Sequence, residues 1–189
     1  MEFEGGRWLV VGLGNPILGD DGVGWRVAEE VQRRIADSEW QIVSSEPVIS
    51  HAKRPSAIEV DCVSLGGLSL MERLVGYERA ILIDAISTGQ WPVGSVNRFP
   101  LDALPDSAAG HSASAHDASL QTALKLGRAM GAPLPPIGEI VVVAVEARSV
   151  YDFGEALTPP VAAAVPRAVE MVVETLSAWK QIPIEQKEA

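Results

Sequence analysis

Acidic and imidazole side chains stand at the ends of three predicted elements of this 189-residue chain. Asp20 and Asp21 follow a short apolar run, Asp84 lies near the end of a second run (AILIDA), and His116 precedes a predicted helix. If the runs form parallel strands, residues at their carboxyl ends meet at one edge of the sheet. Two carboxylates and an imidazole suit nickel, zinc or a similar divalent cation. Three protein ligands would leave coordination positions open to water or to a partner's side chain.

Each of these residues also has a purely structural interpretation. Asp20 or Asp21 could cap the helix that follows. Asp84 could be a buried hydrogen-bond acceptor, since an unpaired buried carboxylate is costly. His116 could begin its helix without being a ligand. The spacing alone therefore leaves both interpretations open.

A glycine-containing turn, Gly12-x-Gly14, follows the first predicted strand and invites a dinucleotide-binding interpretation. That fingerprint needs a third glycine three residues later, where this chain has Ile17, and Asn15-Pro16 interrupts an immediate helix start. The sequence also lacks a phosphate-binding G-K-[ST] loop, a G-x-S-x-G elbow and an H-E-x-x-H zinc helix. A cofactor-binding module is thus disfavoured.

The remaining candidate groups are weaker. His51 and His111 are predicted to be exposed loop residues. Cys62, the only cysteine, is predicted to be a small hydrophobic residue on its strand. No serine or cysteine has an identifiable base partner, so covalent catalysis ranks last among the mechanisms.

Composition indicates one globular domain over residues 1–180, followed by a flexible tail over residues 181–189. Apolar residues make up 47% of the chain and charged residues 21%. The longest strongly apolar stretch, residues 140–145, is far too short to span a bilayer, and the first residues are hydrophilic. A single cysteine favours a cytoplasmic protein. The net charge of −10 argues against nucleic-acid binding, so we expect neither a nucleic-acid nor a membrane partner.

Apolar periodicity predicts strands that alternate with helices. Residues 8–13, 58–64, 80–85, 93–99 and 140–145 are predicted strands, and residues 23–35, 68–74, 117–130 and 160–179 are predicted helices. This order predicts a mainly parallel sheet covered on both faces, with residues 93–99 at its edge. Residues 44–56 should form an insertion or a long loop. Pro166 should bend the last helix or move its start.

Four ordered segments resemble the nickel–iron hydrogenase maturation endopeptidases and together span nearly the whole chain. They are VVGLGNPILGDDGVGWRVAEEV, ILIDAISTGQWPVGSVNRF, SAHDASLQTALKLGRAMG and EIVVVAVEARSVYDFGEALTPPVAAAVPRAVEMVVETL. The resemblance lies in the G-x-G-N turn, the D-[DE]-G helix entry, the Asp-Ala strand end, the S-x-H-x-x-x-L helix entry and the final L-[ST]-x-x-V turn. It implies a three-layer α/β/α sandwich with a mainly parallel twisted sheet and an edge strand.

The same resemblance implies a function and a set of site residues. The family's metal-probing positions fall on Asp21, Asp84 and His116, with Asp21 where many relatives have Glu. The implied reaction is removal of a C-terminal peptide from a hydrogenase large-subunit precursor that already carries nickel. The substrate would supply the nickel, although another divalent cation such as zinc could occupy the site. The family's second strand usually ends with an Asp before a glycine-rich turn, and residues 61–66 only approximate this pattern, so the resemblance assigns no supporting role to Asp61. We expect a monomer.

Two mechanisms and one rival function stay open at the level of sequence. The metal could activate water and polarise the peptide carbonyl, or nickel could serve only for recognition while Asp21 or Asp84 acts as general base. The rival is a non-enzymatic metal-binding chaperone that docks on the precursor without cutting it. Turnover of nickel-loaded precursor would separate the two functions.

Overall fold

Five apolar runs of the sequence form the strands of one sheet, with helices between them. The computed structural model describes residues 6–36, 57–103, 115–148, 150 and 153–181. The strands are β1 Arg7–Leu13, β2 Ala57–Val63, β3 Arg79–Ile86, β4 Val96–Pro100 and β5 Ile140–Glu146. The α-helices are α1 Val23–Ala36, α2 Gly67–Arg73, α3 Ala115–Ala129 and α4 Pro159–Gln181.

The sheet is mainly parallel and has the order β2-β1-β3-β5-β4. β1 pairs with β2 and β3, and β3 pairs with β5, all in parallel, whereas β4 is antiparallel to β5. Every residue of β3 is buried, as expected for a central strand covered on both faces. The predicted parallel sheet with an edge strand is confirmed.

Two apolar cores cover the two faces of this sheet. Alternate strand residues such as Ile81 and Ile83 pack with α1 and α4. The intervening residues, including Leu82 and Ile86, pack with α2 and α3. Because side chains alternate between the faces of a strand, each strand contributes to both cores. The chain therefore has the expected three-layer α/β/α architecture.

Several element boundaries differ from the predicted ones. β4 begins at Val96 rather than at residue 93, because residues 92–95 form a turn in which the Ser95 N–H bonds to the Pro92 carbonyl at 3.0 Å. A 3-10 helix, Gly19–Gly22, precedes α1 and was not predicted. α4 begins at Pro159, so Pro166 lies inside the helix and does not move its start.

Four predictions lie outside the described residues: the insertion at residues 44–56, the exposed histidines His51 and His111, and the flexible tail at residues 182–189. Gln181, the first residue of the predicted tail, instead ends α4. In the part of the chain that the structure describes, none of the helices combines the length and the apolar composition that a bilayer crossing requires.

Candidate active site

The turn after β1 brings the two adjacent acids to the carboxyl edge of the sheet. Gly14 has φ +112° and lies directly against the 3-10 helix, since a Cβ at this position would be 1.9 Å from the Asp21 carbonyl oxygen. A residue with a side chain would need both an unfavourable backbone conformation and a displaced helix. The G-x-G-N turn thus folds the chain back over the end of β1.

The start of α1 then lies on the ends of two strands. A Cβ at Gly24 would be 2.2 Å from the Leu13 carbonyl oxygen and 2.5 Å from that of Ile83. Such a close approach is possible only without a side chain. The 3-10 helix that carries Asp20 and Asp21 accordingly contacts β3. The structure brings these acids to the strand end that carries Asp84.

Asp84 is a buried carboxylate in β3, next to Ala144 of β5, and is 1% exposed. Its neighbours at alternate positions, Leu82 and Ile86, belong to the core formed with α2 and α3. Alternation along the strand therefore directs the Asp84 side chain toward the α2/α3 face. Burying a carboxylate costs free energy that a purely apolar residue would not cost, which favours a specific role at this position.

His116 is the second residue of α3, the helix that covers the face to which Asp84 points. Its side chain lies outside the described residues, so its predicted ligand role stays a prediction. Among the side chains that are described, no three His, Cys, Asp or Glu residues come together as a metal-binding group. The described part of the predicted set consists of the two carboxylates of Asp21 and Asp84.

The adjacent acids have different partners. Asp20 is fully buried, and its Oδ1 and Oδ2 accept hydrogen bonds from the Thr158 N–H at 2.7 Å and the Thr158 hydroxyl at 2.9 Å. Asp21 is half-buried, and its Oδ2 accepts the Asn15 N–H at 2.6 Å. These bonds join the 3-10 helix to neighbouring loops rather than cap α1, so the capping interpretation is wrong for both. Asp20 holds Thr158, the residue before α4, in place, and Asp21 holds Asn15 in the turn after β1.

Glu146 is a buried acid that the sequence did not single out. It lies one residue beyond the predicted strand 140–145, but it is the last residue of β5 and is 2% exposed. Its carboxylate accepts hydrogen bonds from Thr88 and Gly89 in the loop that follows β3. The available signal was the one that identified Asp84, namely an acid at the end of a strongly apolar run.

Other candidate groups have structural contacts that argue against chemistry. Burial, followed by the charges of Glu29 and Asp61, raises the pKa of the Cys62 thiol to about 11, so it is protonated at neutral pH and is a poor nucleophile. Asp61 accepts a hydrogen bond from Arg73 Nε at 2.7 Å. The Asn15 N–H, which a bound phosphate would need at this turn, is already bonded to Asp21. These contacts disfavour covalent catalysis by Cys62 and a dinucleotide site.

Comparison of the fold identifies the class of protein. HybD from Escherichia coli, a hydrogenase maturating endopeptidase, superposes with a TM-score of 0.64 at 22% identity over 91% of this chain and 93% of that one. A [NiFe] hydrogenase maturation protease HybD from Thermococcus kodakarensis gives 0.61 at 25% identity over 89% of this chain and 98% of that one. The fold is that of the hydrogenase maturation peptidases.

Sequence comparison gives the family. Hydrogenase expression/formation protein HupD of Thiocapsa roseopersicina is 25% identical over 89% of this chain and 67% of its own length. HoxM of Cupriavidus necator, of the same description, is 26% identical over 93% and 77%. The model of the HycI hydrogenase maturation protease family matches residues 53–175. The chain belongs to the hydrogenase maturation protease family. It is therefore an endopeptidase that acts in hydrogenase maturation, and the predicted family is confirmed.

Proposed function

We propose that this protein removes a C-terminal peptide from a hydrogenase large-subunit precursor that carries nickel. Family membership supports the reaction class and the kind of substrate. The observation that carries the proposal is the buried Asp84 carboxylate at the end of β3, where the 3-10 helix with Asp21 contacts the same strand. Two acids from distant parts of the sequence thus share one edge of the sheet.

Asp21, Asp84 and His116 are the proposed contacts to the nickel of the substrate. Carboxylate oxygen and imidazole nitrogen are suitable ligands for nickel and also for zinc. His116 begins the helix on the face to which Asp84 points, so the topology is compatible with this set. In this proposal the precursor supplies the metal, and zinc can occupy the same ligands.

Hydrolysis of the peptide requires that a group accept the proton of the attacking water and that the developing oxyanion be stabilised. The substrate's metal can polarise the carbonyl. Asp21 and Asp84 are the proposed proton acceptors because a carboxylate can accept a proton. The other acids at this edge, Asp20 and Glu146, already use both carboxylate oxygens in hydrogen bonds to Thr158 and to the loop after β3. Cys62 is the only cysteine, and its protonated thiol is a poor nucleophile that does not compete with water for the peptide carbonyl.

Metal exchange in the precursor tests this proposal. Purified large-subunit precursor would be prepared without metal, with nickel and with zinc, and incubated with the protein. Intact-mass analysis should show one cut near the C-terminus of the nickel-loaded form and none in the metal-free form. Cleavage of the zinc-loaded form at a comparable rate would show that nickel itself is not required. If the zinc-loaded form binds without being cleaved, the metal contributes to the chemical step. If it does not bind, nickel serves for recognition.

Equal cleavage of metal-free and nickel-loaded precursor would contradict the proposal. Tight binding of nickel-loaded precursor with no turnover would instead indicate the docking chaperone that the sequence left open.

A further inference from the structure

The side chain of Glu146 holds the first half of the loop between β3 and β4, residues 87–95. Its Oε1 accepts the N–H groups of Thr88 at 2.8 Å and Gly89 at 2.7 Å. Its Oε2 accepts the Thr88 hydroxyl at 2.7 Å. The Thr88 hydroxyl oxygen in turn accepts the Gln90 N–H at 3.1 Å. One buried carboxylate therefore orders three consecutive residues of the loop.

The backbone of Glu146 holds the second half of the same loop. The Glu146 carbonyl accepts the Gly94 N–H at 2.8 Å, and the Glu146 N–H bonds to the Ser95 carbonyl at 2.9 Å. The next residue, Ala147, donates its N–H to the Ile86 carbonyl at 2.7 Å. Both ends of the loop are thereby fastened to the last residue of β5.

This loop begins three residues after Asp84, on the strand adjacent to β5. Midway along it, the half-buried Trp91 packs on the apolar core beneath α2 and α3, with its ring centroid 5.8 Å from that of Phe99. The α2/α3 face is also the face to which Asp84 points. The loop therefore lies beside the candidate site, and Gln90 is exposed on it.

The hydrogen bonds that join Glu146 to residues 88, 89, 94 and 95 form a clamp on this loop. The clamp uses a carboxylate, although an apolar residue would have been enough to fill the same space. A carboxylate that is 2% exposed is stable only because charge-assisted hydrogen bonds replace its water. The loop makes those bonds with its backbone N–H groups, so it cannot move away without leaving a buried charge unpaired. The loop is thus held in one position before any substrate arrives.

We propose that Glu146 is a positioning residue of the peptidase, because it holds residues 87–95 as a rigid wall beside Asp84 against which the substrate binds. The proposal rests on the proposed function, because it assigns to this wall the binding of the precursor's C-terminal segment. A preformed wall lowers the entropy lost when a flexible peptide is bound. Loss of the clamp should therefore weaken binding of the precursor more than it slows the chemical step.

Four variants separate loop geometry from charge and from general stability. E146Q can keep all three contacts, because the amide oxygen can accept both N–H groups while the amide nitrogen donates to the Thr88 hydroxyl oxygen. E146A removes all three. T88V removes only the hydroxyl at nearly constant volume, and T88S keeps it. T88V also serves if E146A fails to fold.

Steady-state cleavage of nickel-loaded precursor, together with hydrogen exchange of the peptide containing residues 87–95, tests the proposal. E146A should raise KM about tenfold and leave kcat within about threefold, with faster exchange at Thr88 and Gly89. T88V should raise KM about threefold. E146Q and T88S should resemble the wild-type protein in KM, kcat and exchange.

An unchanged KM in folded E146A, or in T88V where E146A does not fold, would overturn the proposal. So would an E146Q variant as defective as E146A, since the charge rather than the loop position would then matter. If the wild-type protein binds precursor without cleaving it, the proposed function fails, and the variants are compared by Kd, where the same order is expected. If it neither binds nor cleaves any cognate precursor, both proposals fail.

Discussion

Substitution of Asp20 by alanine should destabilise the protein although the neighbouring Asp21 is the proposed site residue. Asp20 is fully buried and accepts two hydrogen bonds from Thr158, the residue before α4. Hydrogen bonds to a charged group contribute roughly 1.5–3 kcal/mol each. Since the Thr158 hydroxyl can rotate toward another acceptor, we expect a net loss of about 3 kcal/mol. For a protein of this size, that lowers Tm by roughly 6–12 °C.

Asp20→Asn should be much milder. The asparagine oxygen can accept the Thr158 N–H, and its amide nitrogen can donate to the hydroxyl oxygen. Only the charge assistance is lost, which is about 1 kcal/mol, or roughly 2–4 °C in Tm. Asp21→Asn should change Tm no more than this, because Asp21 is half-buried and accepts one N–H. It should nevertheless abolish cleavage of nickel-loaded precursor.

The assay combines thermal unfolding with cleavage rates measured at a temperature where every variant is folded. A double-mutant cycle of Asp20→Ala with Thr158→Val isolates the bond between the Thr158 hydroxyl and the Asp20 carboxylate, since valine keeps the backbone N–H. It should give a coupling of at least about 1 kcal/mol. A coupling near zero would refute the hydrogen-bond argument. If Asp20→Asn lost cleavage as completely as Asp21→Asn, the assignment of one acid to structure and the other to the site would be wrong.

Three further predictions concern the proposed site, the Cys62 thiol and the packing of α1. Asp84→Asn and His116→Gln should each lower nickel-dependent cleavage at least about 100-fold, while the far-UV circular dichroism stays unchanged. Retained cleavage in either variant would remove the substituted residue from the site. Because burial raises the pKa of Cys62 to about 11, the native thiol should react with a disulfide reagent at pH 8 at least about 100-fold more slowly than the unfolded thiol. The contribution of the Cys62 thiol to the free energy of unfolding should be complete below about pH 8.5 and should decline as pH rises toward 11, because the unfolded thiol ionises first. Equal reaction rates of the native and the unfolded thiol would contradict the raised pKa. Gly24→Ala should cost about 3 kcal/mol or more in chemical denaturation, because its Cβ would be 2.2 Å from a strand carbonyl oxygen. Gly138→Ala, with nothing within 4 Å of the new Cβ, is the control and should stay within about 0.5 kcal/mol.

The order of strands and helices was accessible from the sequence because it depends on local periodicity. A short apolar run such as residues 80–85 is typical of a strand covered on both faces. The apolar stripe from Val23 to Ile35 is typical of a helix that packs one face on the core. Alternation of the two then requires parallel pairing. The boundary errors at β4 and at Gly19–Gly22 arose where turn hydrogen bonds, rather than burial, decide where an element begins.

The sequence by itself determined that acids stand at the ends of buried strands. Asp84 interrupts an apolar run, and burial of its carboxylate costs free energy that a specific role must offset. The sequence could not determine which of two adjacent, chemically identical acids is structural. Asp20 is bonded to Thr158, which lies 138 positions away, whereas Asp21 is bonded to Asn15 in the adjacent turn. Glu146 likewise acquires its role from Thr88 and Gly89, whose amides are more than 50 positions distant. Hydrogen-bond partners of this kind are fixed when the sheet assembles, because parallel pairing brings together strand ends that no local pattern connects.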